Sequence, residues 1–138
     1  MKKGIVTLLV MVLLLNLIPA YANEIDTPVS PDDPSEYISL SYVLASLVSS
    51  NGKALCYSSA SAGSTHRIYM TVKLQRLQSG SWTTVKTWTS SATQYCEIEK
   101  SWYVASGYYY RNLTTVSVYT SSGSLLESAS AVSPQRWF

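Results

Sequence analysis

The stretch from Arg67 to Leu77 alternates as far as Gln75. Ile68, Met70, Val72 and Leu74 share one parity, and Tyr69, Thr71, Lys73 and Gln75 share the other. That period of two belongs to a half-buried β-strand, whose successive side chains point to opposite faces. The same pattern recurs where Cys96 and Ile98 alternate with Glu97 and Glu99, and where Val116 and Val118 alternate with Ser117 and Tyr119. Beyond residue 36, no long run carries apolar residues at helical spacing, while Val, Thr, Tyr and Ser are abundant. The chain is therefore expected to be all-β.

Turn signals divide the chain into seven strands. Tyr42–Ser49 is followed by Asn51-Gly52, a pair that tolerates the positive φ of a type I′ hairpin. The second strand runs from Lys53 to Ala60, and Ala62-Gly63-Ser64 separates it from the Arg67–Leu77 strand. Ser79-Gly80 leads into Trp82–Trp88, where Trp82 and Trp88 share a parity that Val85 lacks, so this strand should hold a bulge or lie at an edge. Ser106-Gly107 separates the strand around Cys96 from that around Val116, and Ser122-Gly123 precedes the last, Leu125–Val132, which Pro134 ends. Short strands at this spacing predict an antiparallel seven-stranded β-sandwich.

The N-terminal segment stands apart. Lys2 and Lys3 precede an apolar run from Ile5 to Ile18, and Ala20-Tyr21-Ala22 has the small-x-small form of a secretory cleavage site. Residues 1–22 are expected to be a signal peptide. Thr7 and Asn16 interrupt the run, which falls short of a membrane span, so no stable membrane insertion is expected after cleavage. Residues 23–36 hold Pro28, Pro31 and Pro34 among acidic and hydroxyl residues and read as a flexible leader, with the β domain at 37–138.

Removing residues 1–22 from the 138 leaves eight Lys and Arg against eight Asp and Glu. This balance gives no nucleic-acid signature. The distribution is uneven, however, because five of the acidic residues lie between Glu24 and Glu36 and precede a mildly basic domain. Cys56 and Cys96 are the only cysteines, and export makes a disulfide between them the expected state. Two free thiols are the alternative in a reducing setting.

No catalytic set assembles from the sequence. His66 is the only histidine, and no Gly-x-Ser-x-Gly nucleophile turn occurs. Glu97 and Glu99 share one face of a strand, a spacing open to glycosidase chemistry but read more simply as solvated charge. One histidine and two cysteines make no ordinary zinc site, and Asp32-Asp33 with Glu36 lacks EF-hand spacing, so no cofactor or metal is expected. Asn112-Leu113-Thr114 matches a glycosylation sequon but lies inside a strand.

Gly107-Tyr108-Tyr109-Tyr110 leading into Val116 and Val118 resembles the turn and sixth strand of fibronectin type III domains. The likeness implies a fibronectin type III/immunoglobulin-like sandwich with Tyr110 as its structural tyrosine corner, and it expects an apolar residue where Asn112 stands. It also makes the second and fifth strands neighbours, which would set Cys56 and Cys96 in a cross-strand bridge, and it pairs the third strand with the sixth. Over nearly the whole chain, Asn51-Gly52-Lys53-Ala54-Leu55-Cys56, Leu74-Gln75-Arg76, Ser79 to Trp88 and Gly107 to Arg111 resemble a family of small secreted Firmicutes proteins, a domain of unknown function. That resemblance implies a bacterial, exported, non-catalytic β domain and brings no functional residues.

With the third and sixth strands paired, Arg67, Tyr69 and Lys73 would lie beside Tyr109, Arg111 and Tyr119. Tyrosine and arginine carry much of the energy of binding surfaces. The expectation is a secreted, non-catalytic module binding a protein partner at or beyond the cell surface, with a cell-wall or host glycan as the alternative and a small hydrolase using Glu97 or Glu99 behind both. The candidate face is Tyr69, Tyr109, Tyr119, Arg67 and Arg111. Trp137-Phe138 could cover a sheet edge or reach a partner.

Overall fold

Eight strands form in chain order: β1 (Leu40–Ser50), β2 (Lys53–Ala62), β3 (Arg67–Gln78), β4 (Ser81–Thr93), β5 (Tyr95–Tyr103), β6 (Tyr109–Tyr119), β7 (Leu125–Val132) and β8 (Arg136–Trp137). The computed structural model describes residues 39–138. The expected signal peptide, the leader and the first two residues of the expected domain lie outside them. The strands make two antiparallel sheets, one in the order β1-β2-β5 and the other β4-β3-β6-β7, with β8 added to β6. This is an antiparallel β-sandwich of the fibronectin type III/immunoglobulin-like kind. It has one strand more than the expected seven, since Pro134 ends β7 but the chain resumes pairing two residues later.

Alternation fills the space between the sheets. Val43, Leu47, Ala54, Cys56, Cys96 and Ile98 come from the smaller sheet, and Ile68, Met70, Val72, Leu74, Val116 and Val118 from the larger. Asn51 and Gly52 both take positive φ, as a type I′ turn requires, and they join β1 to β2. Tyr110 is buried on the inner face of β6, where its hydroxyl donates to the Ala105 carbonyl at 2.8 Å and its ring meets Phe138 edge-on. Trp137 and Phe138 fold back on the start of β6: Trp137 pairs with Tyr109, and the Phe138 N–H donates to the Tyr108 carbonyl.

The disulfide expectation is corrected. β2 and β5 are neighbours, but their register sets Cys56 opposite Lys100 and Cys96 opposite Ala60. Four residues of strand separate the two positions, about 13 Å, whereas a bridge needs Cα atoms within about 7 Å. Both cysteines are free and buried. Burial pushes the Cys56 thiol up to about 12 and raises that of Cys96.

Asn112 occupies an inner position and leaves the register intact, because Tyr110, Asn112, Thr114, Val116 and Val118 are all buried on one parity. Its polarity is satisfied by a closed ring of hydrogen bonds. Asn112 Nδ2 donates to Ser58 Oγ at 2.9 Å, and Thr114 Oγ1 donates to Asn112 Oδ1 at 3.0 Å. The remaining 2.7 Å contact, between the Ser58 and Thr114 hydroxyls, is then donated by Ser58. Asn112 Nδ2 also reaches the Ser46 and Tyr57 carbonyls, so one side chain ties β6 to both β1 and β2. The sequon asparagine is fully buried, which leaves no room for a glycan on it.

Candidate functional site

The outer face of the larger sheet carries the five residues singled out from sequence, and the structure divides them between its two ends. β3 pairs with β6 so that Arg67 lies opposite Tyr119 and Tyr69 opposite Ser117. The rings of Tyr69 and Tyr119 meet edge-on with centroids 5.3 Å apart, and the Arg67 guanidinium lies 5.6 Å from the Tyr69 centroid. Tyr69 remains 48% exposed, so ring area is left for a ligand. These three residues line a shallow cleft of about 480 Å³ with Thr120, Ser121, Ser122 and Gly123 of the β6–β7 turn.

The turn is internally braced. Thr120 and Gly123 close backbone hydrogen bonds across it, Thr120 Oγ1 accepts from the Ser124 N–H, and Thr120 and Ser122 share a hydroxyl contact of 2.8 Å. Gly123 sits at φ 92°, a conformation that side chains rarely adopt. One wall of the cleft is thus preformed, and a preformed wall lowers the ordering cost of binding.

Tyr109 and Arg111 do not join this group. Tyr109 lies ten residues from Tyr119 along β6, about 33 Å away, and its ring packs edge-on against Trp137 at 4.9 Å. Arg111 lies over the Trp82 ring at 4.3 Å and donates from Nε to Gln75 Oε1 at 2.9 Å. Trp82 was not foreseen on this face. The register advances from Leu74–Lys86 to Gln75–Thr84, leaving Val85 as a bulge that reverses the facing of β4, so Trp82 points outward while Trp88 points to the core.

Carboxylates are kept off one of the two outer faces. Among the described residues the outward positions of the larger sheet hold Arg67, Lys73 and Arg111 and no carboxylate, because Glu127 of β7 lies opposite inward Val118. Glu127 instead accepts from the Ser39 and Leu40 N–H groups. Glu97 and Glu99 lie on the outer face of the smaller sheet, opposite Ser59 and Tyr57. Glu97 accepts hydroxyls from Tyr95 at 2.6 Å and Tyr57 at 3.2 Å, and this hydrogen bond to a carboxylate raises the Tyr95 phenol above its ordinary value. His66 sits in the β2–β3 connection, its backbone bonded to Gly63 and Gln94 and its ring over Gly63. No group of three or more metal-ligating side chains occurs among the described residues.

Comparison with protein-family models, with curated proteins and with solved structures found no match.

Proposed function

We propose that the protein is a secreted, non-catalytic binding module, and that its ligand is an acidic glycan of a cell wall or host surface held at the Arg67–Tyr69–Tyr119 end of the larger sheet. The observation that carries this reading is the convergence of those three side chains with a braced, hydroxyl-bearing turn on one cleft. Saccharides are held by apolar contact with aromatic rings and by hydrogen bonds to hydroxyls, and Arg67 would pair with a carboxylate or phosphate on the sugar. Charge supports the sign of the ligand. Residues 39–138 contain eight Lys and Arg against Glu97, Glu99 and Glu127, and the three acids leave the proposed face to its cations. The resemblance to exported Firmicutes proteins and the signal-like N-terminus support the location.

The test is a binding isotherm of the chain from Asn23 onward on purified peptidoglycan and on charged and neutral insoluble polysaccharides. Saturable binding to a charged polymer is expected. Tyr69→Ala and Arg67→Ala should each weaken it roughly 2–10-fold, the magnitude of a lost ring or ion-pair contact. Tyr109→Ala should leave it unchanged. Failure to bind any charged polymer, or equal loss in all three variants, would contradict the reading. A protein partner is the second reading, favoured by β1, an uncharged edge strand with Tyr42, Leu44 and Val48 exposed.

A further inference from the structure

Apart from the two-residue β8, four strands lie at sheet edges, and three are guarded by charge. β5 carries Glu97, Glu99 and Lys100, β4 carries Lys86 and β7 carries Glu127. The fourth, β1, has eleven residues with no charge and no proline. Its outward side chains Tyr42, Leu44 and Val48 are 43%, 45% and 49% exposed, and Val43 and Leu47 face the core. Along such an edge, alternate residues turn their N–H and C=O groups away from the sheet, which makes a template for another strand. Glu127 occupies the N–H groups of Ser39 and Leu40, so the open length runs from Val43 to Ser50, about 26 Å.

We infer that β1 pairs with β1 of a second copy of the chain, antiparallel about a two-fold axis at Ser46. That register sets Leu44 opposite Val48 of the copy and Val48 opposite its Leu44, covering both exposed apolar side chains on the outer face. On the inner face Ala45 meets Leu47. Every pair joins residues of one parity, as a continuous sheet requires, and the contact is self-complementary, as a two-fold requires. No like charges meet across it, because β1 is uncharged and the only charge on β2, Lys53, lies over its own Tyr103 ring. The product is a six-stranded sheet in the order β5-β2-β1-β1-β2-β5. The residues immediately preceding β1 are a poorer occupant, since Pro28, Pro31 and Pro34 have no N–H to give to a ladder. The inference is independent of the glycan site, which lies on the other sheet.

The experiment is analytical ultracentrifugation of the chain from Asn23 onward across a concentration series. The parent should sediment as a dimer that dissociates on dilution. Leu44→Lys and Val48→Glu, both at exposed positions and with far-UV spectra matching the parent, should each weaken association by about a hundredfold or more. Mixing the two variants should restore a dimer, because the ammonium introduced in one chain then faces the carboxylate introduced in the other. A parent that stays monomeric to about 1 mM overturns the inference, as does a dimer that survives both substitutions. A monomer that associates only when residues 23–37 are removed also overturns it and gives the edge to the preceding segment.

Discussion

At the scale of single residues, Asn112 shows how a polar side chain can occupy a core position without penalty. Its amide closes a ring through Ser58 and Thr114 and reaches two carbonyls of the opposite sheet, so each buried polar atom of the ring has a partner. Replacing Asn112 with Ala should cost roughly 2–4 kcal/mol in denaturant unfolding, because it takes one hydrogen-bond partner from each of two buried hydroxyls and leaves them only each other. The combination Asn112→Leu, Ser58→Ala, Thr114→Val should recover most of that loss, since removing all the partners together leaves nothing unpaired. Cys56 offers a second residue-scale test. Its buried thiol stays protonated up to about 12, whereas the unfolded chain loses that proton near the ordinary value of 9.0. The folded state therefore binds more protons across that window. Stability is unaffected at neutral pH and falls as pH rises above 9, by up to about 1.4 kcal/mol per pH unit from this group. Cys56→Ala should flatten that part of the profile, as measured by unfolding between pH 8 and pH 11.

At the scale of elements, the inner and outer faces were legible and the lateral registers were not. Alternation at Arg67–Leu77 and around Val116 identified β3 and β6, and Asn51-Gly52 identified the hairpin that their positive φ values now form. Alternation fixes only which face a side chain takes. It does not fix how far one strand slides along its neighbour, and a slide of four residues keeps every face while moving Cys56 about 13 Å from Cys96. The bulge at Val85 had the opposite effect, preserving the pairing of β4 with β3 while reversing its faces and so hiding Trp82. The two-residue β8 left no periodic signal at all. Because β2 and β5 hold their cysteines apart, the unfolding midpoint should be the same with and without reductant, and both thiols should titrate once the chain is unfolded. A midpoint that drops in reductant would contradict the observed register.

At the scale of the whole molecule, the sandwich separates its chemistry by face. The outside of the smaller sheet holds carboxylates bonded to tyrosine hydroxyls, the outside of the larger holds cations and rings with no carboxylate among the described residues, and an uncharged strand lies at one edge. The sequence indicated the composition of the larger face but merged its two ends, since Tyr109 and Tyr119 share a parity although ten residues of strand lie between them. It also gave no reason to include Thr120–Gly123, which reads as a turn until folding closes it over Tyr69 and Tyr119. The most direct test of the proposed site is a titration of the isotopically labelled protein with soluble acidic oligosaccharides, followed by backbone amide shifts. Saturating shifts confined to Arg67, Tyr69 and the segment from Tyr119 to Gly123, with Tyr109 to Leu113 unmoved, are the predicted result. Shifts centred on Tyr109, Arg111 and Trp82, or on the outer face of the smaller sheet, would contradict it.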